Sequence, residues 1–220
     1  MELKFQRIYS QQIINFESRL HLGGAMRRLF VLAIVLVFVG QTQAMPDGID
    51  RRGDDGCLCH GGSDETTTII LEGLPNVYNS SQEYNLTLSI ESPVERNNPQ
   101  GGFRILISYG EIVADGWQFK DGGYTHTEEI TDRREWDAVW VAPSEDDLLA
   151  TFVVHGNAVN GDGTVNNDEW NSISVAVPGP NYDGDVSAPV ISSGPSNTQI
   201  AVAILALLLM LSLTVVAVRD

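Results

Sequence analysis

The chain has 220 residues and carries 13 Lys+Arg against 29 Asp+Glu, a net charge of −16. That length holds one domain of ordinary size with accessory segments, and the acidity excludes a phosphate backbone as partner, so no nucleic acid is expected. Two cysteines separated by one residue exclude a disulfide framework, leaving the core alone to hold the domain.

Residues 1–25 are mixed and weakly amphipathic, and they read as an upstream extension with translation starting at Met26. Residues 26–44 stand in signal-peptide order: Arg27 and Arg28, the apolar run Leu29 to Val39, then the small residues Thr42 and Ala44. The run is shorter than the roughly 20 residues of a membrane crossing, which disfavours a retained N-terminal anchor. Removal of 1–44 takes away five basic residues (Lys4, Arg7, Arg19, Arg27, Arg28) and two acidic ones (Glu2, Glu17). The remainder has 13 − 5 = 8 basic and 29 − 2 = 27 acidic residues, a net charge of −19, with Lys120 as its single lysine.

Residues 45–64 form a Cys/His segment containing GCLCHGG, and residues 65–180 carry short β-type runs punctuated by Gly, Pro, Asn and Asp. Strands are expected at Thr66 to Glu72, Tyr84 to Glu91, Phe103 to Tyr109, Glu111 to Gln118, Trp136 to Ala142, Leu149 to His155 and Asn171 to Val177. Leu86, Leu88 and Ile90 alternate with Thr87 and Ser89, the period of a strand with one face to water. About seven strands without an amphipathic helix between them imply an all-β, antiparallel, immunoglobulin-like β-sandwich. Trp117, Trp136, Trp140 and Phe152 are the expected large core pieces. Residues 45–64, lying before the first strand, supply no obvious core position.

Residues 181–198 are rich in Pro, Gly, Ser and Asp without periodicity and read as a flexible stalk. Residues 199–218 contain the uncharged run Ile200 to Val218, the length of one transmembrane helix, and 219–220 form a cytoplasmic tail. The expected location is the cell membrane, single-pass, with the domain outside; Arg219 agrees with that orientation.

Two thiols and an imidazole at Cys57, Cys59 and His60 are good metal ligands, although a fourth ligand is needed and CxxC is the commoner spacing. A reactive thiol pair and a loop without cofactor are the other readings of the motif. Asn160, Asp162, Thr164, Asn166 and Glu169 take the third, fifth, seventh, ninth and twelfth positions of a calcium loop, with Gly163 at its turn. Ala158 at the first position lacks a side-chain oxygen, so a β-turn is the better reading, with Asp168 as a substitute ligand if calcium binds. Asn79 and Asn85 head the glycosylation sequons NSS and NLT. No Ser/His/Asp set or phosphate-cradling loop stands out, and the chain reads as no enzyme.

The ordered pieces Gly101-Gly102-Phe103, Tyr124 to Thr127, Trp136-x3-Trp140-x-Ala142-Pro143, and Phe152-x3-Gly156 to Thr164 resemble the choice-of-anchor V domain, related to reeler-type extracellular β-sandwiches. The resemblance runs from about Gly56 to Val177 and implies an exported module whose anchor varies between members. Many members carry a CxxCH haem-attachment motif where this chain has CxCH. It thereby implies haem c at Cys57 and Cys59 with His60 as axial ligand, with one thioether in doubt at this spacing. His126 and His155, the other two exported histidines, could supply a distal ligand, a hydrogen-bonded structural histidine being the plainer reading of each. The expected function is a non-enzymatic, membrane-anchored surface module for adhesion, ligand binding or envelope structure, with an extracellular ligand or protein as partner. The alternative is a membrane-tethered electron-transfer protein using the CxCH motif.

Overall fold

The computed structural model describes residues 45–191 and 197–219. The extension 1–25, the proposed start at Met26 and the signal run 26–44 lie outside these residues. Two units are distinct, the strand-rich part and the C-terminal helix.

The strand-rich unit has nine strands: β1 (Thr68–Glu72), β2 (Glu83–Glu91), β3 (Gly101–Ile107), β4 (Glu111–Val113), β5 (Trp117–Lys120), β6 (Gly123–His126), β7 (Glu135–Val141), β8 (Leu149–Ala158) and β9 (Glu169–Pro178). They form a four-stranded sheet in the order β1-β2-β7-β4 and a five-stranded sheet in the order β5-β6-β3-β8-β9. Every pairing is antiparallel.

The count of about seven is corrected to nine for two local reasons. The expected strand Glu111 to Gln118 is broken at Asp115-Gly116, so that β4 pairs with β7 while β5 joins the other sheet. β5 and β6 are closed by Asp121 (φ 46) and Gly122 (φ 87), the left-handed pair of a two-residue hairpin turn. That turn is written in the sequence as DGG and accounts for a strand not expected at Gly123–His126.

Alternation places Leu86, Leu88 and Ile90 of β2 and Trp136, Ala138 and Trp140 of β7 inward. They meet Phe103 and Ile105 of β3 and Phe152 and Val154 of β8. Trp140 is the hub: its ring lies 5.8 Å from Tyr78, 5.5 Å from Tyr84 and 5.1 Å from Phe152. Trp136 stands edge-on to Phe103, and Trp117 is half-buried against the same ring. Trp170 is 1% exposed and is a fifth large piece that a strand starting at Asn171 leaves out.

After β9 the chain has no regular structure through residue 191, where Ser174 of β9 donates its hydroxyl to the Pro189 carbonyl at 2.7 Å. The helix α1 (Asn197–Arg219) has 23 residues, about 35 Å at 1.5 Å per residue. Its side chains are described without a break only from Ile200 to Val215, and among the described residues no helix is long and apolar enough to cross a membrane.

Candidate functional site

Residues 45–64 add no side chain to the apolar core, but they are not a loose preface to the sandwich. They cross the outer face of the five-stranded sheet as a strap, touching its strands in the order in which the sheet is assembled. Over β5, the Asp47 carbonyl accepts from Gln118 Nε2 at 3.0 Å and from Lys120 Nζ at 3.1 Å. Over β6, the Ile49 amide donates to Thr125 Oγ1 at 3.2 Å. At β3, Asp54 pairs with Arg104, and at β8 the Asp54 carbonyl accepts from His155 Nε2 at 3.0 Å. At β9, buried Gly56 lies on the Trp170 ring, and Trp170 Nε1 donates to the Gly61 carbonyl at 3.1 Å.

The strand register explains this path. Thr125 pairs with Arg104, Arg104 with His155, and His155 with Ser172, so one polar row runs across the sheet perpendicular to its strands. Thr125, Arg104 and His155 are each 0% exposed because the strap covers them. Arg104 donates Nε and Nη2 to Asp54 Oδ1 at 2.9 and 2.8 Å, and its remaining donors reach the carbonyls of Ile49, Lys120 and Asp121. Gly56 has φ +112, and a Cβ there would overlap the Trp170 ring, so only glycine closes this crossing.

The strap ends in the GCLCHGG motif. Residues Leu58–His60 form one 3-10 turn with Cys57 as its N-cap. At three residues per revolution, side chains two positions apart do not face the same way. Cys57 accordingly turns inward, where burial first and then the neighbouring Cys59 push its thiol up to about 12, while Cys59 is exposed. His60 Nδ1 lies 2.9 Å from Asp168 Oδ2, which can only accept, so Nδ1 carries the proton and Nε2 is the free nitrogen. Asp168 is 9% exposed, and its Oδ1 accepts the Asn160 amide at 3.0 Å. Carboxylate-held imidazole is the arrangement of an oriented ligand, and His60 alone of the motif has it.

The remaining donors do not assemble around it. His155 uses both ring nitrogens: Nε2 donates to the Asp54 carbonyl, and Nδ1 accepts from Ser172 Oγ at 2.6 Å. His126 packs edge-on to Phe103, places Nδ1 3.3 Å from the Thr127 carbonyl and sets Nε2 against the backbone of Gly102. His155 therefore has no free nitrogen, and His126, only 7% exposed, is enclosed between Phe103 and Gly102. With the two thiols turned different ways, one half-buried and one exposed, the set does not fit haem held by both cysteines, and among the described residues no three His, Cys, Asp or Glu side chains are grouped to hold a metal ion.

The acidic loop is also arranged differently from a calcium site. Asn160 Oδ1, Asp162 Oδ1 and Thr164 Oγ1 accept the amides of Asp162, Thr164 and Asn166 in turn, a chain of side-chain-capped turns between β8 and β9. Glu169 is already in β9, where its Oε2 accepts from Thr66, Thr67 and Ser92 hydroxyls at 2.9, 2.7 and 3.3 Å. Both the expected twelfth-position ligand and its substitute Asp168 are therefore engaged elsewhere. The groups that sequence reasoning passed over are Asp54, Arg104 and Trp170, and Asp168 was marked only as a substitute calcium ligand, not as the partner of His60. Arg104 had a visible signal, a charge enclosed in the apolar run FRILI.

Two expected results follow from these environments. A thiol-alkylating reagent should label Cys59 first in the folded protein and Cys57 much more slowly until the chain is denatured, read as one adduct becoming two by mass. Equal rates for both in the folded state would contradict the inward turn of Cys57. The second concerns His126 and His155, both held below the ordinary histidine value of 6.5, chiefly by burial. The unfolded chain takes up these protons first, so the stability they represent is complete above about pH 6.5 and is lost as pH falls towards the folded values. Each histidine limits the slope to about 1.4 kcal/mol per pH unit. Urea midpoints should fall between pH 6.5 and 5, and a flat profile would show that neither imidazole is desolvated.

The class defined by these pairings is a two-sheet, antiparallel β-sandwich with one outer face covered by its own N-terminal strap. No family model matches the chain, and no curated protein does. Among solved structures it is similar to the reeler domain of human F-spondin at 15% identity and a TM-score of 0.36, over 53% of this chain and 91% of that one. It is also similar to a conjugative transposon lipoprotein from Bacteroides eggerthii (12%, TM-score 0.33, 50% and 97%). A third is AggA, the major subunit of aggregative adherence fimbriae type I from Escherichia coli (8%, TM-score 0.33, 53% and 96%).

Proposed function

We propose that the chain is a non-enzymatic module displayed outside the cell, a β-sandwich held at the membrane by α1 and serving adhesion, ligand binding or envelope structure. The surface of α1 carries this reading. Val202, Ile204, Leu205, Leu207 and Leu209 are all between 53 and 62% exposed, and at about 100° per residue their spacing takes them around the helix rather than along one stripe. An apolar helix with no polar side is stable in lipid and unstable in water, where each Å² of apolar surface costs about 25 cal/mol. The uncharged run extends in sequence from Ile200 to Val218, and a signal-like run precedes the sandwich, which favours the outside location.

The pieces that resemble choice-of-anchor V domains support the same reading from within the sandwich. Gly102 lies under His126, which brings the GGF piece in β3 against the YTHT piece in β6. In this reading the CxCH segment is a clasp: His60 on Asp168, just before β9, and Gly61 on Trp170, within it, fasten the end of the strap at the start of the last strand.

The test is deletion of Gln199 to Asp220. The shortened chain should be released in soluble form with the urea midpoint of the parent sandwich, because the strand core ends before the helix. Aggregation, or retention on membranes after a salt wash, would overturn the division into module and anchor. A haem-stained band after denaturing electrophoresis would instead favour electron transfer, since only a covalent adduct survives that treatment.

A further inference from the structure

Resting on the reading of an exported chain, we propose that Asn79 is an N-glycosylation site and that Asn85, in the same three-residue motif, is kept unmodified by the fold. The two asparagines are six positions apart and equally eligible as sequence, Asn79-Ser80-Ser81 and Asn85-Leu86-Thr87. The fold treats them differently. Asn79 begins an exposed turn, Asn79 to Gln82, between β1 and β2. The turn is fastened beneath rather than free. Tyr78, 0% exposed, donates its amide to the Pro178 carbonyl at 3.1 Å, and Ser81 donates its amide to the Pro143 carbonyl at 2.9 Å. Asn79 donates its own amide to the Tyr84 hydroxyl at 2.8 Å. Its side chain makes one surface hydrogen bond, Nδ2 to Gln82 Oε1 at 2.7 Å, which water replaces at little cost.

Asn85 is exposed as well, but its backbone lies in the interior of β2, opposite Val139 of β7, and β1 pairs along the other edge from Thr87 onward. Its sequon hydroxyl, Thr87 Oγ1, donates to Asp137 at 2.9 Å. A transferase must draw the three-residue motif into its own site. At Asn79 that needs displacement of an exposed turn; at Asn85 it needs two strand pairings to open.

The transfer balances without a redox partner. Asn79 Nδ2 attacks the anomeric carbon of an oligosaccharide carried on a lipid diphosphate. The N–C bond forms, the C–O bond to the diphosphate breaks, the lipid diphosphate leaves with the bonding pair, and a base on the transferase takes the Nδ2 proton. The product is a sugar on the sandwich end at which the chain leaves β9, beside Pro178.

The test uses the full chain isolated from membranes of cells that N-glycosylate their surface proteins, read by peptide mass spectrometry. The peptide containing Asn79 should carry a hexose-type mass increment that is lost in Asn79→Gln and in Ser81→Ala and kept in Asn85→Gln. Protease added to intact cells is run in parallel. Removal of the sandwich by that protease with an unmodified Asn79 overturns the site and leaves the surface reading standing. A sugar at Asn85 with none at Asn79 overturns selection by the fold. A sandwich that the protease does not reach overturns both readings.

Discussion

Replacing Asp54 by Ala is expected to lower stability by about 3 kcal/mol, the lower end of the range for breaking a buried ion pair. The lower end applies because the Asp54 side chain is 35% exposed while that of Arg104 is 0% exposed. Removal of the carboxylate leaves a guanidinium enclosed among the carbonyls of Ile49, Lys120 and Asp121 with no counter-charge in contact. Urea unfolding should show the loss directly, and limited proteolysis should find new cleavage within residues 45–64. A second replacement, Arg104→Met in the Asp54→Ala background, should recover part of the loss, since an apolar side chain of similar length has no charge to desolvate. If Asp54→Ala unfolds at the parent's urea concentration, the ion pair does not hold the strap.

The second large effect is expected at Trp170. Truncation to Ala removes a ring that is 1% exposed, lies under Gly56 and stands edge-on to His155 at 6.5 Å between ring centroids. The loss should be about 3–5 kcal/mol, with a further signature in the thiols. Trp170 also holds the Gly61 carbonyl, so its removal should free the CxCH turn and let Cys57 react faster with alkylating reagents without denaturant. Trp170→Phe keeps most of the apolar contact but loses the indole donor, and should fall between the two. Destabilisation without a change at Cys57 would mean that the strap end is held by His60 and Asp168 alone.

The four-stranded sheet was legible where its chemistry is periodic. Leu86, Leu88 and Ile90 announce an inward face by alternation alone, and Trp136 and Trp140 at four-residue spacing fall on one side of β7. The five-stranded sheet was harder because both of its faces are covered. Arg104, Thr125 and His155 are polar at positions that alternation assigns to water, and nothing local reports that a distant segment lies over them. The strap itself looks like linker, since Gly48, Gly53 and Gly56 are the residues that loops use and also the ones that permit close approach. At the candidate site, the sequence marked Cys57, Cys59 and His60 by type and spacing. The partner of His60 is 108 residues away, and the inward turn of Cys57 depends on a backbone turn that spacing alone does not specify.

The strap is among the first parts of the sandwich to be synthesised, yet its landing strip includes the last strand. Its fastenings bridge 76 residues at Thr125, 101 at His155 and 109 at Trp170, so the last of them cannot close until β9 exists. At roughly 5–20 residues per second, the strap waits on the order of 5–20 s for its final partner. Until the strap lies down, the outer row of the sheet is open to water and the Arg104 charge lacks its Asp54 partner. A seal completed only with the last strand is expected to close folding rather than to nucleate it, so damage to the strap should speed unfolding while leaving the folding rate nearly unchanged.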